Sequence, residues 1–164
     1  MKKVIAAVVM AAFIAVPAAL ADASPKAPGA FCVAHKALIG PGLTYPTMRA
    51  CVAAQKAQND KSVVNAVKAC IAERDDANFA ATHDGKTFDQ NYGANVNANG
   101  KGKGDGNAFG KCVSSKASEK TAEQQTTLLN AAKKCRTPEL KLLIGAGKQY
   151  KNFGACVSAQ TKPS

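Results

Sequence analysis

Six cysteines set in a recurring pattern constrain this chain more than any other feature. Four open a Cys-Val pair (Cys32, Cys51, Cys112 and Cys156), and two close a segment reading NAxKxC (Cys70 and Cys135). An opener leads to a closer after 19 residues from Cys51 to Cys70, and after 23 from Cys112 to Cys135. The difference is about one helical turn. This spacing predicts two helical hairpins of slightly different arm length. The expected fold class is all-α: small disulfide-stapled helical hairpins with flanking helices and a Gly/Asn-rich linker.

The compartment follows from the N-terminus. Lys2 and Lys3, an apolar run from Val4 to Val16, Pro17, and Ala19-Leu20-Ala21 as a cleavage site read as a signal peptide over residues 1–21. The run is short for a bilayer span, and no later segment offers one, so the mature chain is expected to be exported without a transmembrane segment. An even number of cysteines in an oxidising space predicts disulfides. Fifteen pairings are formally possible. The hairpin reading favours Cys51 with Cys70, Cys112 with Cys135, and Cys32 with Cys156. Such bonds are needed because the mature chain has no Trp and its helical stretches are filled with Ala, which buries little area.

Four segments follow: residues 1–21, the signal; 22–76, an N-terminal helix and the first hairpin; 77–108, an anchored loop and a linker; 109–164, the second hairpin and a C-terminal helix. In the first hairpin, Pro46 and Thr47 start an arm carrying Met48, Cys51 and Val52. Asn59-Asp60 break it, and Ser62 caps a return arm with Val63, Val67, Cys70 and Ile71 inward. In the second, Phe109, Cys112, Val113 and Ala117 share a face and Glu119-Lys120 turn the chain. Thr121 and Gln124 then cap an arm carrying Leu128, Ala131, Ala132 and Cys135. Flanking helices are expected over residues 27–39 and 148–159, and a short one over 138–144 behind Thr137. Phe79, Phe88 and Tyr92 are spaced as anchors for an irregular connection, and residues 93–107, almost all Gly, Asn, Ala and Lys, read as a linker.

FGKCVSSK at Phe109 to Lys116, FGACVSAQ at Phe153 to Gln160, NAVKACIAER at Asn65 to Arg74, and FAATHDGKTFDQNYG at Phe79 to Gly93 resemble the repeats of a group of uncharacterised secreted actinobacterial proteins. The resemblance covers residues 49–162. FCVAHKAL, at Phe31 to Leu38, departs from it by lacking the glycine, and the second closer runs into Arg136-Thr137-Pro138 instead of an AER sequence. The resemblance implies an exported, helical, repeat-built bacterial protein and attaches no activity to it.

Charge carries the functional reading. Without residues 1–21 the chain has 20 basic and 11 acidic residues, net +9. The balance is 10 to 8 over residues 22–108 and 10 to 3 over 109–164. Lys111, Lys116, Lys120, Lys133, Lys134, Arg136, Lys141, Lys148 and Lys151 are the candidate polyanion-binding residues. Their chemistry suits anionic cell-wall or surface polymers. Lysine predominates over the arginine that bidentate phosphate reading prefers, and no aromatic interleaving offers base stacking, so specific nucleic-acid recognition is not expected.

No catalytic, cofactor or metal motif stands out. Cys32 and His35, at i and i+3, would be a thiol–imidazole pair only if Cys32 were reduced. Asn95, Asn97, Asn99 and Gly100 copy half a calcium loop without its carboxylates. GKGKGDG at Gly100 to Gly106 lacks the Ser or Thr and the strand of a phosphate loop. The expectation is a secreted, disulfide-stabilised cationic interaction protein that is not an enzyme and binds envelope polymers. The alternatives are a membrane-active defence protein, or a secreted inhibitor or protein-binding module.

Overall fold

A computed structural model describes residues 27–93 and 107–162. The expected signal peptide, most of the Gly/Asn-rich linker, the calcium-loop look-alike and the GKGKGDG segment lie outside the described residues. The fold is all-α and stapled by three disulfides, and the described residues contain no strand. In order come α1 (Pro28–Ala34), a 3₁₀ turn (Lys36–Leu38), α2 (Met48–Arg74), α3 (Phe79–Thr82) and α4 (Phe88–Gly93). Then follow α5 (Ala108–Lys134), α6 (Pro138–Lys141) and α7 (Phe153–Gln160).

Neither expected hairpin forms. α2 and α5 are each one unbroken helix of 27 residues, and the two lie side by side, antiparallel, as the only long elements among the described residues. No Gly or Pro stands between Cys51 and Cys70, or between Cys112 and Cys135. Asn59-Asp60 and Glu119-Lys120 are too weak to stop a helix, since Asn and Asp cost at most about 0.7 kcal/mol each relative to Ala, and Glu and Lys are good formers. Ser62 and Thr121 accordingly sit mid-helix and buried instead of capping second arms.

Continuity of these helices overturns the favoured disulfide pairing. At 1.5 Å per residue, Cys51 and Cys70 are about 28 Å apart along α2, and Cys112 and Cys135 about 35 Å apart along α5. Bonded cysteines need Cα atoms within about 7 Å. The pairs are instead Cys32–Cys51, Cys70–Cys112 and Cys135–Cys156, with Cα–Cα separations of 6.0, 6.0 and 6.1 Å. Each bond closes the connection that leaves one helix and enters the next, so the chain alternates cystine loop, long helix, cystine loop, long helix, cystine loop.

The apolar interior is divided accordingly. At one end of the helix pair the first and last cystine loops share a cluster of Phe31, Leu38, Ala131, Ala132, Val157 and four half-cystines. At the other end Cys70–Cys112 packs with Phe79, Phe88 and Ala108, and with Tyr92 and Phe109 at the margin. The aromatic anchors therefore act as expected, with Phe88 ring centroids 5.6 Å from Phe79 and 4.9 Å from Tyr92.

Between the two ends the helix contact is polar. Gln55, Ser62, Thr121 and Gln125 are all buried, while Val63 and Val64, at 45% and 54% exposure, face outward. Gln125 Nε2 donates to Gln55 Oε1 at 3.4 Å, and Gln55 Nε2 donates to the Tyr45 hydroxyl at 3.1 Å. Ser62 Oγ lies 3.1 Å from both the Gln58 carbonyl and Gln124 Oε1, which its single proton serves by turns. Burial of Gln55, Gln125 and Ser62 is tolerable because each has a hydrogen-bond partner, the two glutamines in each other and Ser62 in Gln58 and Gln124. The inward line on α2 is thus Cys51, Gln55, Ser62, Ala66 and Cys70, not the expected line through Val63 and Ile71.

Candidate functional site

The first and last cystine loops are built alike. Leu38-Ile39-Gly40-x-Gly42 leads to Tyr45 and Ala50-Cys51-Val52, and Leu143-Ile144-Gly145-x-Gly147 leads to Tyr150 and Ala155-Cys156-Val157. In each loop the first glycine N–H donates to the tyrosine carbonyl, and the tyrosine N–H donates to the leucine carbonyl, at 2.8 to 2.9 Å. Gly42 and Gly147 take φ of 73° and 72°, a region that side chains with a Cβ avoid. Thr47 and Asn152 then cap α2 and α7 through Ala50 N–H and Ala155 N–H. The expected last helix from Lys148 thus starts only at Phe153, because Tyr150 bonds back to Leu143 and Asn152 caps α7, and the expected first helix ends at Ala34, where His35 leaves the helical region and a 3₁₀ turn follows. α6 likewise stops at Lys141, short of the expected Ile144, and Thr137 makes no side-chain cap.

The two loops meet face to face. Gly154 N–H donates to the Gly42 carbonyl at 3.1 Å, and the lack of a side chain at Gly154 lets the backbone at Leu43 and Thr44 approach the start of α7. Arg136 reaches across the same seam: Nη2 donates to the Ala37 carbonyl at 3.1 Å, and the guanidinium lies 5.5 Å from the Phe153 ring centroid. Beside it opens a cleft of about 560 Å³, lined by Leu43, Cys135, Arg136, Lys141, Ile144 and Phe153. Its walls are mostly apolar and its two charged lining residues are both cations.

The nine candidate cations do not form one patch. Lys133, Lys134, Arg136, Lys141, Lys148 and Lys151 all belong to the last cystine loop and the helix end feeding it, and all six are exposed. Glu139 is the one carboxylate in residues 133–151, and its pKa is lowered by its own backbone amide and the Thr137 hydroxyl. Lys148 Nζ donates to the Leu142 carbonyl at 2.7 Å. The other three cations are engaged elsewhere on the protein. Lys111 Nζ donates to the Gly93 carbonyl at 3.1 Å, Lys120 pairs with Glu123 at 2.8 Å on the open face of α5, and Lys116 pairs with Glu73 at 2.7 Å.

The Lys116–Glu73 pair is part of a clamp that sequence reasoning missed. Glu73 on α2 receives Lys116 from α5 on Oε1 and the Tyr92 hydroxyl from α4, at 2.7 Å, on Oε2. Partial burial pushes the Glu73 pKa up, but the hydrogen bonds from Lys116 and Tyr92 together outweigh it and hold the carboxyl below its ordinary value. For Lys116 the Glu73 hydrogen bond dominates and raises the pKa. The clamp ties three helices around Cys70–Cys112, which is a structural task.

The thiol–imidazole pair does not form, since Cys32 is bonded to Cys51. His35 ends α1 with its ring 4.6 Å from Phe31. His83 stacks on Phe79 at 3.7 Å, and its Nδ1 sits 2.9 Å from the Phe79 carbonyl. Among the described residues no three His, Cys, Asp or Glu side chains gather as a metal site, and no helix is long and apolar enough to cross a membrane. Comparison of the chain with protein-family models, curated proteins and solved structures found no match.

Proposed function

We propose that this is a secreted, non-enzymatic binding protein that engages anionic cell-envelope polymers through the last cystine loop. One observation carries the reading: six exposed cations against one carboxylate are concentrated in residues 133–151, two at the end of α5 and four on the loop stapled by Cys135–Cys156. Three disulfides suit an oxidising extracellular space, and the signal-like N-terminus supplies the route to it. A stapled loop holds its charges in place before contact, so little ordering entropy is lost on binding. Lys111, Lys116 and Lys120, already engaged within the protein, contribute less.

The test is retention of the oxidised protein on purified cell wall, or on a polyphosphate resin, across a salt gradient. Binding carried by several lysines falls steeply with ionic strength. Replacing Lys133, Lys134, Lys148 and Lys151 together by Gln should move elution to clearly lower salt. Lys120→Gln should leave it in place. Salt-independent retention, or equal loss from both variants, contradicts the reading.

A second reading rests on Leu142, 68% exposed beside Lys141 and close to Lys148. An apolar tip among lysines suits contact with an anionic bilayer surface. Cosedimentation with phosphatidylglycerol vesicles that Leu142→Ser abolishes would favour it over polymer binding.

A further inference from the structure

We propose that the cleft between the first and last cystine loops is a binding site for one small amphipathic anion, an alkyl or acyl chain ending in a carboxylate, sulfate or phosphate. The chain lies against Leu43, Ile144 and Phe153, and the head group meets Arg136 and Lys141. This is a different ligand class from the polymers above, and it does not rest on that reading, although the two share Arg136 and Lys141.

Size is the first argument. A hollow of about 560 Å³ falls within the range of small-molecule sites, about 300 to 1,000 Å³, and is far larger than a bare inorganic anion needs. Wall chemistry is the second. Leu43, Ile144, Phe153 and the Cys135 half-cystine offer a polymer's repeating charges nothing, but they shed water when an aliphatic chain covers them. Charge is the third. Both ionic groups on the lining are cationic, so an anionic head gains charge-assisted hydrogen bonds at the rim that a neutral hydrophobe cannot make. A cationic amphiphile is repelled.

Preorganisation completes the case. The Ala37 carbonyl takes one of the five N–H donors of Arg136, and the Phe153 ring lies beside its guanidinium, which leaves the other donors for a ligand. The Cys135–Cys156 bond fixes the spacing between the Arg136 and Phe153 segments, and the Gly154–Gly42 hydrogen bond holds Leu43 across from them. The hollow is therefore present before the ligand arrives.

Decanoate, well below its micelle concentration, is the probe. Amide chemical shifts of the full oxidised protein should respond saturably, with the largest changes at Leu43, Arg136, Lys141, Ile144 and Phe153. 1-Decanol should bind at least tenfold more weakly, and acetate should not saturate. Lys141→Gln should weaken decanoate severalfold and leave decanol unchanged. Leu43→Glu, which places a carboxylate on the wall, should abolish decanoate binding while the remaining amide spectrum reports the intact fold. Replacing Lys133 and Lys134 by Gln should lower salt-gradient retention on the polymer and leave decanoate binding as it was, so each proposal fails separately. The cleft site is overturned by no saturable response, by equal affinity for decanoate and decanol, by shifts spread along α2 and α5, or by binding to phosphatidylglycerol vesicles without binding to free decanoate.

Discussion

Glu73 is the residue on which the far end of the molecule turns. Its carboxylate is less than a third exposed and accepts from Lys116 and Tyr92 on separate oxygens, so Gln in its place removes the charge facing Lys116 and one of the two acceptors. Glu73→Gln should destabilise the protein by about 1 to 2 kcal/mol, read as a lower urea midpoint at pH 7. The sign of its pH dependence is fixed: with the folded-state pKa depressed, the stabilisation is present above the ordinary carboxyl value of 4.5 and fades as pH falls through the folded value. The stability difference between wild type and Glu73→Gln should therefore start to shrink as pH falls below 4.5 and close only below the lowered folded-state value. At the near end the corresponding residue is Gly154, where an added Cβ would run into the Leu43 carbonyl oxygen. Gly154→Ala should cost about 1 to 3 kcal/mol by thermal melting, because backbone has to yield.

At the scale of elements, the claim that α2 is one helix makes a prediction opposite to that of a hairpin. Ser62 is fully buried against α5, so Ser62→Leu should overpack the contact and cost about 1 to 3 kcal/mol in urea unfolding. Val63, next to it, faces solvent, and Val63→Lys should change stability by less than about 0.5 kcal/mol. A hairpin capped at Ser62 with Val63 inward would reverse that order. The helical class, the start of α2 after Thr47, the aromatic anchors and the Leu128-Ala131-Ala132-Cys135 stripe were all legible, because each rests on local capping or periodicity. The inward face of α2 was not. Hydropathy assigns Val63 and Ile71 inward, but Gln55 takes the interface by pairing with Gln125, and Ser62 by pairing with Gln124, both on α5, which a single strand of sequence does not display. The cleft was illegible for a related reason: Leu43 and Phe153 come from different loops, and only the shared LIGxG-to-tyrosine framework hinted that those loops correspond.

For the whole molecule, stability is concentrated at two ends joined by a polar helix contact. The loops closed by Cys32–Cys51 and Cys135–Cys156 span 19 and 21 residues, and that closed by Cys70–Cys112 spans 42. On the chain-entropy account these bonds contribute about 3 kcal/mol for each short loop and about 4 kcal/mol for the long one. With small apolar clusters at either end, full reduction should abolish cooperative melting at ordinary temperatures. The misread pairing belongs to this scale too. Opener and closer cysteines follow one another along the chain and so suggested two arms, while the absence of Gly or Pro between them, against the glycines at 40, 42, 145 and 147, marked the helices and the loops correctly.

The direct test of the alternation of cystine loops and long helices is non-reducing tryptic mapping of the oxidised protein. Lys or Arg stands between every successive pair of cysteines, so trypsin places each on its own peptide. Linked peptides joining Cys32 to Cys51, Cys70 to Cys112 and Cys135 to Cys156 are predicted. A peptide joining Cys51 to Cys70, or Cys112 to Cys135, would require α2 or α5 to fold back on itself and would contradict the account.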